Sequence, residues 1–273
     1  MKDNREIPSL ENRFPEVDAF IHRLVNLYET GNLHSWEELD RQTKEFFTPS
    51  RMDQMELIVP GWYKMASYRE GVTLTHVTCA FLGMYRMPEF LSLAPVQQTM
   101  MKWVVLFHDL EKEVKNEKRD YTHAFRSAVT ATRQLPALGF QKQPEFDTLL
   151  PQWSELTLSA HMKAETSSDV VQDNRKIPEI LAGIERMFGR NTPPALIVKT
   201  ILFHLSIDMT EWPPPNPLTN EEIRRFIDRD LLSLLRIMHL ADSDGWALFG
   251  PDRERLRKDT LEVFEQVNEL ITS

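Results

Sequence analysis

Apolar residues recur at three- and four-residue steps along almost the whole of this chain, and that spacing admits few folds. Val17, Phe20, Ile21, Leu24 and Leu27 fall on one face of a 3.6-residue helix. Pro15 opens that segment and Gly31 closes it, the usual punctuation of a helix. "SWEELDRQTKEFF" is predicted as a short helix, and Thr48-Pro49 as the start of another. Further helices are predicted over 72–86, 95–112, 120–138, 194–210, 220–242 and 252–271. Clean period-2 alternation between Asn-Gly or Asp-Gly turns is not found, and glycine numbers only 9 among 273 residues. The chain is predicted to be all-α.

Between about 140 and 193 the helical pattern loosens. "ETSSDVVQDNRKIP" and "RNTPP" read as loops or an insertion around short helices. "EWPPPNP", at 211–217, is predicted to be an extended connection because successive prolines cannot continue a helix. The expected organisation is one compact unit: an N-terminal helical extension over 1–69, a core over 70–250 with its insertion at 140–193, and a C-terminal helix over 251–273.

Charge and cysteine content narrow the function classes. With 32 basic against 41 acidic side chains, the net charge of −9 argues against a long nucleic-acid partner. A small anionic substrate in a locally positive pocket remains compatible. The single cysteine, Cys79, excludes an internal disulfide and suits a reducing compartment. "MKDNREIPSLENRF" has no apolar signal region, and no apolar run approaches the roughly 18 residues of a membrane span. A cytoplasmic protein is expected, with no membrane partner.

Certain polar residues stand where apolar ones are expected. Segment 95–112 is apolar on nearly all sides and is predicted to be the central helix, yet it runs into His108 and Asp109. Burying either group without a partner costs several kcal/mol. His76 shares a helix face with the small residues Cys79, Ala80 and Gly83. Asp242 continues the apolar stripe of Leu235 and Met238, whereas Asp244-Gly245 reads as a cap or turn. Two imidazoles and two carboxylates in a helical bundle make an N₂O₂ site for one divalent ion, which would offset all four burial costs together. His76, His108, Asp109 and Asp242 are therefore the candidate metal ligands.

A His, a His-Asp pair 32 positions later (76 to 108) and a distant Asp together resemble the HD-domain metal-dependent phosphohydrolase superfamily. "LFHDLEKE" is similar to its His-Asp-(Ile/Leu)-Gly-Lys signature, with Lys112 at the lysine and Glu111 replacing the glycine. Glutamate there is expected to continue the helix. "THAFRSAVTATRQLPALGF" resembles the next segment of the family. "LFHLSIDM" and "EEIRRFIDRDLLSLLRIMHLADSDG" resemble the end of the HD domain of CCA-adding tRNA nucleotidyltransferases. The resemblance spans roughly 70–250, with 140–193 poorly matched.

It implies a phosphohydrolase acting on a nucleotide or another small phosphoester. The metal is expected to be Mn, Mg, Fe, Co, Ni or Zn, with one or two ions per chain. Asp109 would ligate the metal and orient the attacking water; Lys112, one helical turn from His108, would hold a phosphate oxygen. His123, Arg126 and His204 are candidate substrate contacts, with Ser127 beside them, and His123 is also a candidate ligand to a second metal. His204 and Asp208 are expected on one helix face, and His161 is a weaker rival. His22, His34 and His239 are given no role. Two further readings stay open: a non-catalytic helical binding module, and a di-iron oxygenase on the same fold. Intact candidate ligands argue against the former; the latter would need His123 and another histidine as ligands. The segments 140–193 and "WPPPNP" are expected to border the pocket.

Overall fold

The computed structural model describes residues 7–67, 71–113, 120–164, 169–211 and 213–273, so the boundary expected at 69/70 and Trp212 of the proline-rich loop lie outside the described residues. Among the described residues the fold is all-α, with one small antiparallel ribbon. The N-terminal helices are α1 (Leu10–Arg13), α2 (Pro15–Glu29), α3 (Trp36–Phe46), α4 (Pro49–Ile58) and α5 (Trp62–Ser67). Next come α6 (Val72–Arg86), α7 (Pro88–Leu91), α8 (Pro95–Phe107) and α9 (His123–Gln134). After α10 (Phe146–Leu158), strands β1 (His161–Lys163) and β2 (Val170–Gln172) pair with Met162 opposite Val171. The chain closes with α11 (Ile177–Phe188), α12 (Pro193–Phe203), α13 (Asn220–Phe226), α14 (Arg229–Ala247) and α15 (Arg253–Thr272).

The core is formed by α6, α8, α9, α12 and α14. Helix α12 is buried from Pro194 to Phe203 and packs against α8, α9, α11 and α14, so it shares the central place expected for α8 alone. The helices before α6 lean on this core: α2, α3 and α5 pack on α6, and α1 on α2 and α8. On the far side α15 covers α14.

Close approach of α6 and α14 rests on two glycines. A Cβ at Gly83 would lie 2.5 Å from the Asp244 Cβ, and one at Gly245 would lie 2.4 Å from the His76 Cε1. Real Cβ atoms do not come that close, so the two backbones meet at a distance that only glycine permits. Asp244 itself is no cap or turn residue. It lies within α14 and takes a bidentate ion pair from Arg253, at 2.8 and 2.9 Å.

Several expected boundaries move, for local reasons. The segment 220–242 is two helices: Thr219 and Glu222 form a capping box for α13, and the Asp228 carboxylate accepts the Leu231 N–H to start α14. The expected 95–112 helix ends at Phe107; His108 caps it and Glu111 stands in the following turn. The Glu111 side chain pairs with Lys64 at 2.6 Å and accepts from the Thr130 hydroxyl at 2.9 Å. The 120–138 helix is shorter, starting at His123. The loosely patterned 140–193 contains two full helices, packed so closely that a Cβ at Gly183 would fall 2.3 Å from the Trp153 Cδ1.

Helix α15 also covers His239, whose ring is buried 5.1 Å from that of Phe264. Burial, only partly opposed by Asp242, pulls its pKa down to about 4. The unfolded chain therefore takes up this proton first. Its contribution is complete above the unfolded value of about 6.5 and is lost as pH falls towards the folded value, a difference of roughly 3 kcal/mol. His239→Leu should flatten that acid limb. Thermal unfolding at pH 7 and pH 4.5 is the check, and an unchanged slope would remove His239 from the account.

Candidate metal centre

Six side chains converge from the five core helices. His76 comes from the first half of α6 and Asp242 from the second half of α14. His108 and Asp109 follow the C-terminus of α8, His123 opens α9, and His204 caps the C-terminus of α12. Two helix C-termini thus end at the cluster, and their partial negative charge favours a cation there. His76, His108, Asp109, His123 and His204 are buried, and Asp242 alone keeps a 28% exposed side chain.

The six form two groups that share Asp109: His76, His108, Asp109 and Asp242 in one, Asp109, His123 and His204 in the other. In the first, Asp109 Oδ2 lies 3.5 Å from His76 Nε2 and 3.7 Å from His108 Nε2, and Asp242 Oδ1 lies 2.8 and 3.6 Å from the same two nitrogens. In the second, Asp109 Oδ1 is 2.8 Å from His123 Nε2 and 4.0 Å from His204 Nε2. Tetrahedral ligands at about 2.1 Å from an ion stand roughly 3.4 Å apart, which most of the first group approaches.

The orientation of the rings follows from sequence-local contacts. His108, His123 and His204 each use Nδ1 on the carbonyl three residues earlier: Val105 at 2.8 Å, Asp120 at 2.5 Å and Ile201 at 2.7 Å. A carbonyl only accepts, so Nδ1 carries the hydrogen and a neutral ring presents its Nε2 lone pair to the cluster. At His123 and His204 the two Nε2 atoms stand 3.2 Å apart, an arrangement that a cation between them relieves. His108 Nε2 and Asp109 Oδ1 are buried with no hydrogen-bonding partner. Unsatisfied groups of this kind cost about 1–3 kcal/mol each. The donor set and its orphaned atoms fit a divalent ion.

His76 is held differently. Its Nδ1 has no hydrogen-bonding partner; its ring stacks on Trp246 at 4.3 Å between centroids and abuts Gly245. Trp246 is the residue the sequence reading missed, although it stands one helical turn beyond Asp242 in "ADSDGW".

Electrostatics divide the histidines. Burial lowers the pKa of His76 despite Asp242, and burial together with His123 and His108 lowers that of His204 strongly. At His108 burial acts in the same direction, but Asp109 and Asp242 outweigh it and the pKa rises. Burial would raise Asp109, yet Lys112, His108 and His123 hold it well below the usual carboxylate range. Asp242 is likewise depressed against burial, by the imidazoles of His108 and His76 beside it.

No family model, curated protein or solved structure matches the chain. The buried His/Asp cluster, able to bind a metal, is what the molecule itself displays. Around it, Lys112 Nζ sits 2.6 Å from Asp109 Oδ2. Arg126 lies in the wall: it donates to the Glu111 carbonyl at 2.9 Å and the Thr122 hydroxyl at 2.8 Å, and pairs with Asp120. The Ser127 hydroxyl accepts the Glu111 N–H at 3.2 Å. Asp208 is exposed and beyond the end of α12, so the expected shared face with His204 does not form. His161 is on exposed β1, apart from the cluster. The proline-rich loop and the ribbon hold each other through paired Gln172–Asn216 hydrogen bonds and contribute no ligand among the described residues.

Among the described residues no helix is long and apolar enough to cross a membrane.

Proposed function

We propose that this protein is a metal-dependent phosphohydrolase of the HD type, acting on a nucleotide or another small phosphoester. The observation that carries the reading is Lys112, whose ammonium touches Asp109 at the edge of the ligand cluster. An ammonium at the edge of a metal site is a point charge suited to a phosphate oxygen. His76, His108, Asp109 and Asp242 would hold one ion, and Asp109, His123 and His204 a second. A divalent ion would supply Lewis-acid stabilisation of the phosphoryl group and activate water as nucleophile.

The chain's own residues do the rest. Lys112, 2.6 Å from Asp109 Oδ2 at the edge of the cluster, would hold a non-bridging phosphate oxygen as a point charge. Low-dielectric surroundings strengthen that contact, since the neighbouring ligands are buried and exclude water. Asp242 and Lys112, with side-chain exposures of 28% and 18%, form the accessible edge by which a substrate enters.

The test is phosphate release from small phosphoesters by Mn²⁺-supplemented protein, with chelation as control. Lys112→Met is expected to raise KM by about 10- to 100-fold, the worth of one charge-assisted hydrogen bond, while metal content is unchanged. Two irons per chain, with oxygen consumed and no phosphate released, would replace this reading by the oxygenase.

A further inference from the structure

One wall of the cluster is aromatic and half open to solvent. Trp246 stacks on His76 at 4.3 Å with an interplanar angle of 22°, and Trp36 of α3 lies nearly parallel to Trp246, at 5.6 Å and 14°. Lys112 Nζ stands 5.6 Å from the centre of the same indole. A centroid distance of 5.6 Å between near-parallel rings is an offset stack, which covers an indole only in part. Trp246 accordingly remains 50% exposed. A single exposed apolar side chain needs no explanation in itself. This one is fixed between a candidate metal ligand and a second tryptophan, with the candidate phosphate cation alongside.

Resting on the phosphoester reading, we propose that Trp246 and Trp36 form the subsite for a flat aromatic group on the substrate, so that the preferred phosphoesters carry a nucleobase or comparable ring. The chemistry of the wall selects this class. Indole faces stack on any π surface and give an aliphatic sugar phosphate nothing equivalent. Lys112 is near enough to both Asp109 and the indole for one ligand to span phosphate site and stack. The aromatic wall also excludes water from the face of His76, so ring binding and metal ligation draw on the same side chain.

The experiment compares binding of AMP and ribose 5-phosphate to the Mn²⁺-supplemented protein by calorimetry, with phosphate release followed in parallel. AMP should bind more tightly by about tenfold or more, the scale of one base stack. That ratio should collapse towards one in both Trp36→Ala and Trp246→Ala and recover in Trp246→Phe. Trp36→Ala guards against a trivial loss, because it leaves the His76–Trp246 stack in place. Equal affinity for the two probes, a preference that survives both alanine variants, or binding of neither probe would overturn the subsite. Selective AMP binding without phosphate release would retain the subsite and overturn the hydrolase. Equal release from both probes would do the reverse.

Discussion

Asp109→Ala should abolish divalent-metal binding altogether, whereas Asp242→Ala should spare the group made by Asp109, His123 and His204. The asymmetry follows from geometry: Asp109 turns Oδ2 to His76 and His108 and Oδ1 to His123, while Asp242 faces only the first pair. Elemental analysis of the purified proteins after loading with Mn²⁺ is the measurement. The alanine variant also leaves Lys112 and the surrounding imidazoles without their buried counter-charge, a loss on the scale of 3–5 kcal/mol for a broken buried pair. Asp109→Asn keeps the shape and is therefore the companion variant; circular dichroism establishes that both are folded. Equal metal loss in the Asp109 and Asp242 variants would mean that the two groups act as one site. Undiminished metal in Asp109→Ala would remove the cluster from consideration.

The second large effect is expected at the glycines between α6 and α14. In Gly245→Ala the new methyl would fall 2.4 Å from His76 Cε1 and 2.5 Å from Nδ1, and the ring cannot turn freely because Trp246 lies against it. Either His76 leaves its place or the helices part. Overpacking of this kind costs about 1–3 kcal/mol, and in a protein of this size each kcal/mol moves Tm by roughly 2–4 °C. Metal affinity should fall together with Tm. Gly83→Ala supplies the contrast, because its methyl strikes Asp244, which is clamped by Arg253 and is not in the cluster. That variant should lose stability and keep its metal. Titration with Mn²⁺ beside thermal unfolding separates the two, and equal metal affinity in both variants would show that Gly245 matters for packing alone.

How far the molecule could be read from its sequence depended on whether the signal was local. Helix α6 appears at the predicted residues because its ends are marked by Gly71, in the left-handed conformation at φ 92°, and by Met87-Pro88. The interruption before Asp228 escaped notice because apolar spacing runs across it, although the Thr219–Glu222 box and Asp228 were visible as helix starts. His76, His108, Asp109 and Asp242 could be nominated because each interrupts an apolar stripe. The meeting of His123 and His204 could not, since it depends on how the ends of α9 and α12 come together across 81 positions. Trp246 was hidden for another reason. A tryptophan at helical spacing reads as core, and only the packed structure reveals one face held against His76 and half the residue left open.

The pairing of His76 with Asp242 joins positions 166 residues apart. An unfolded chain has no such site, so whatever affinity the cluster possesses belongs to the folded state and is added to its stability. At a free metal concentration 100 times Kd, that linkage amounts to about 2.7 kcal/mol. A held ion therefore works as a clasp between the early and late parts of the chain. With such an ion bound, metal supply would set how long the folded protein survives, and in a metal-poor cell the same molecule would be cleared sooner by proteolysis.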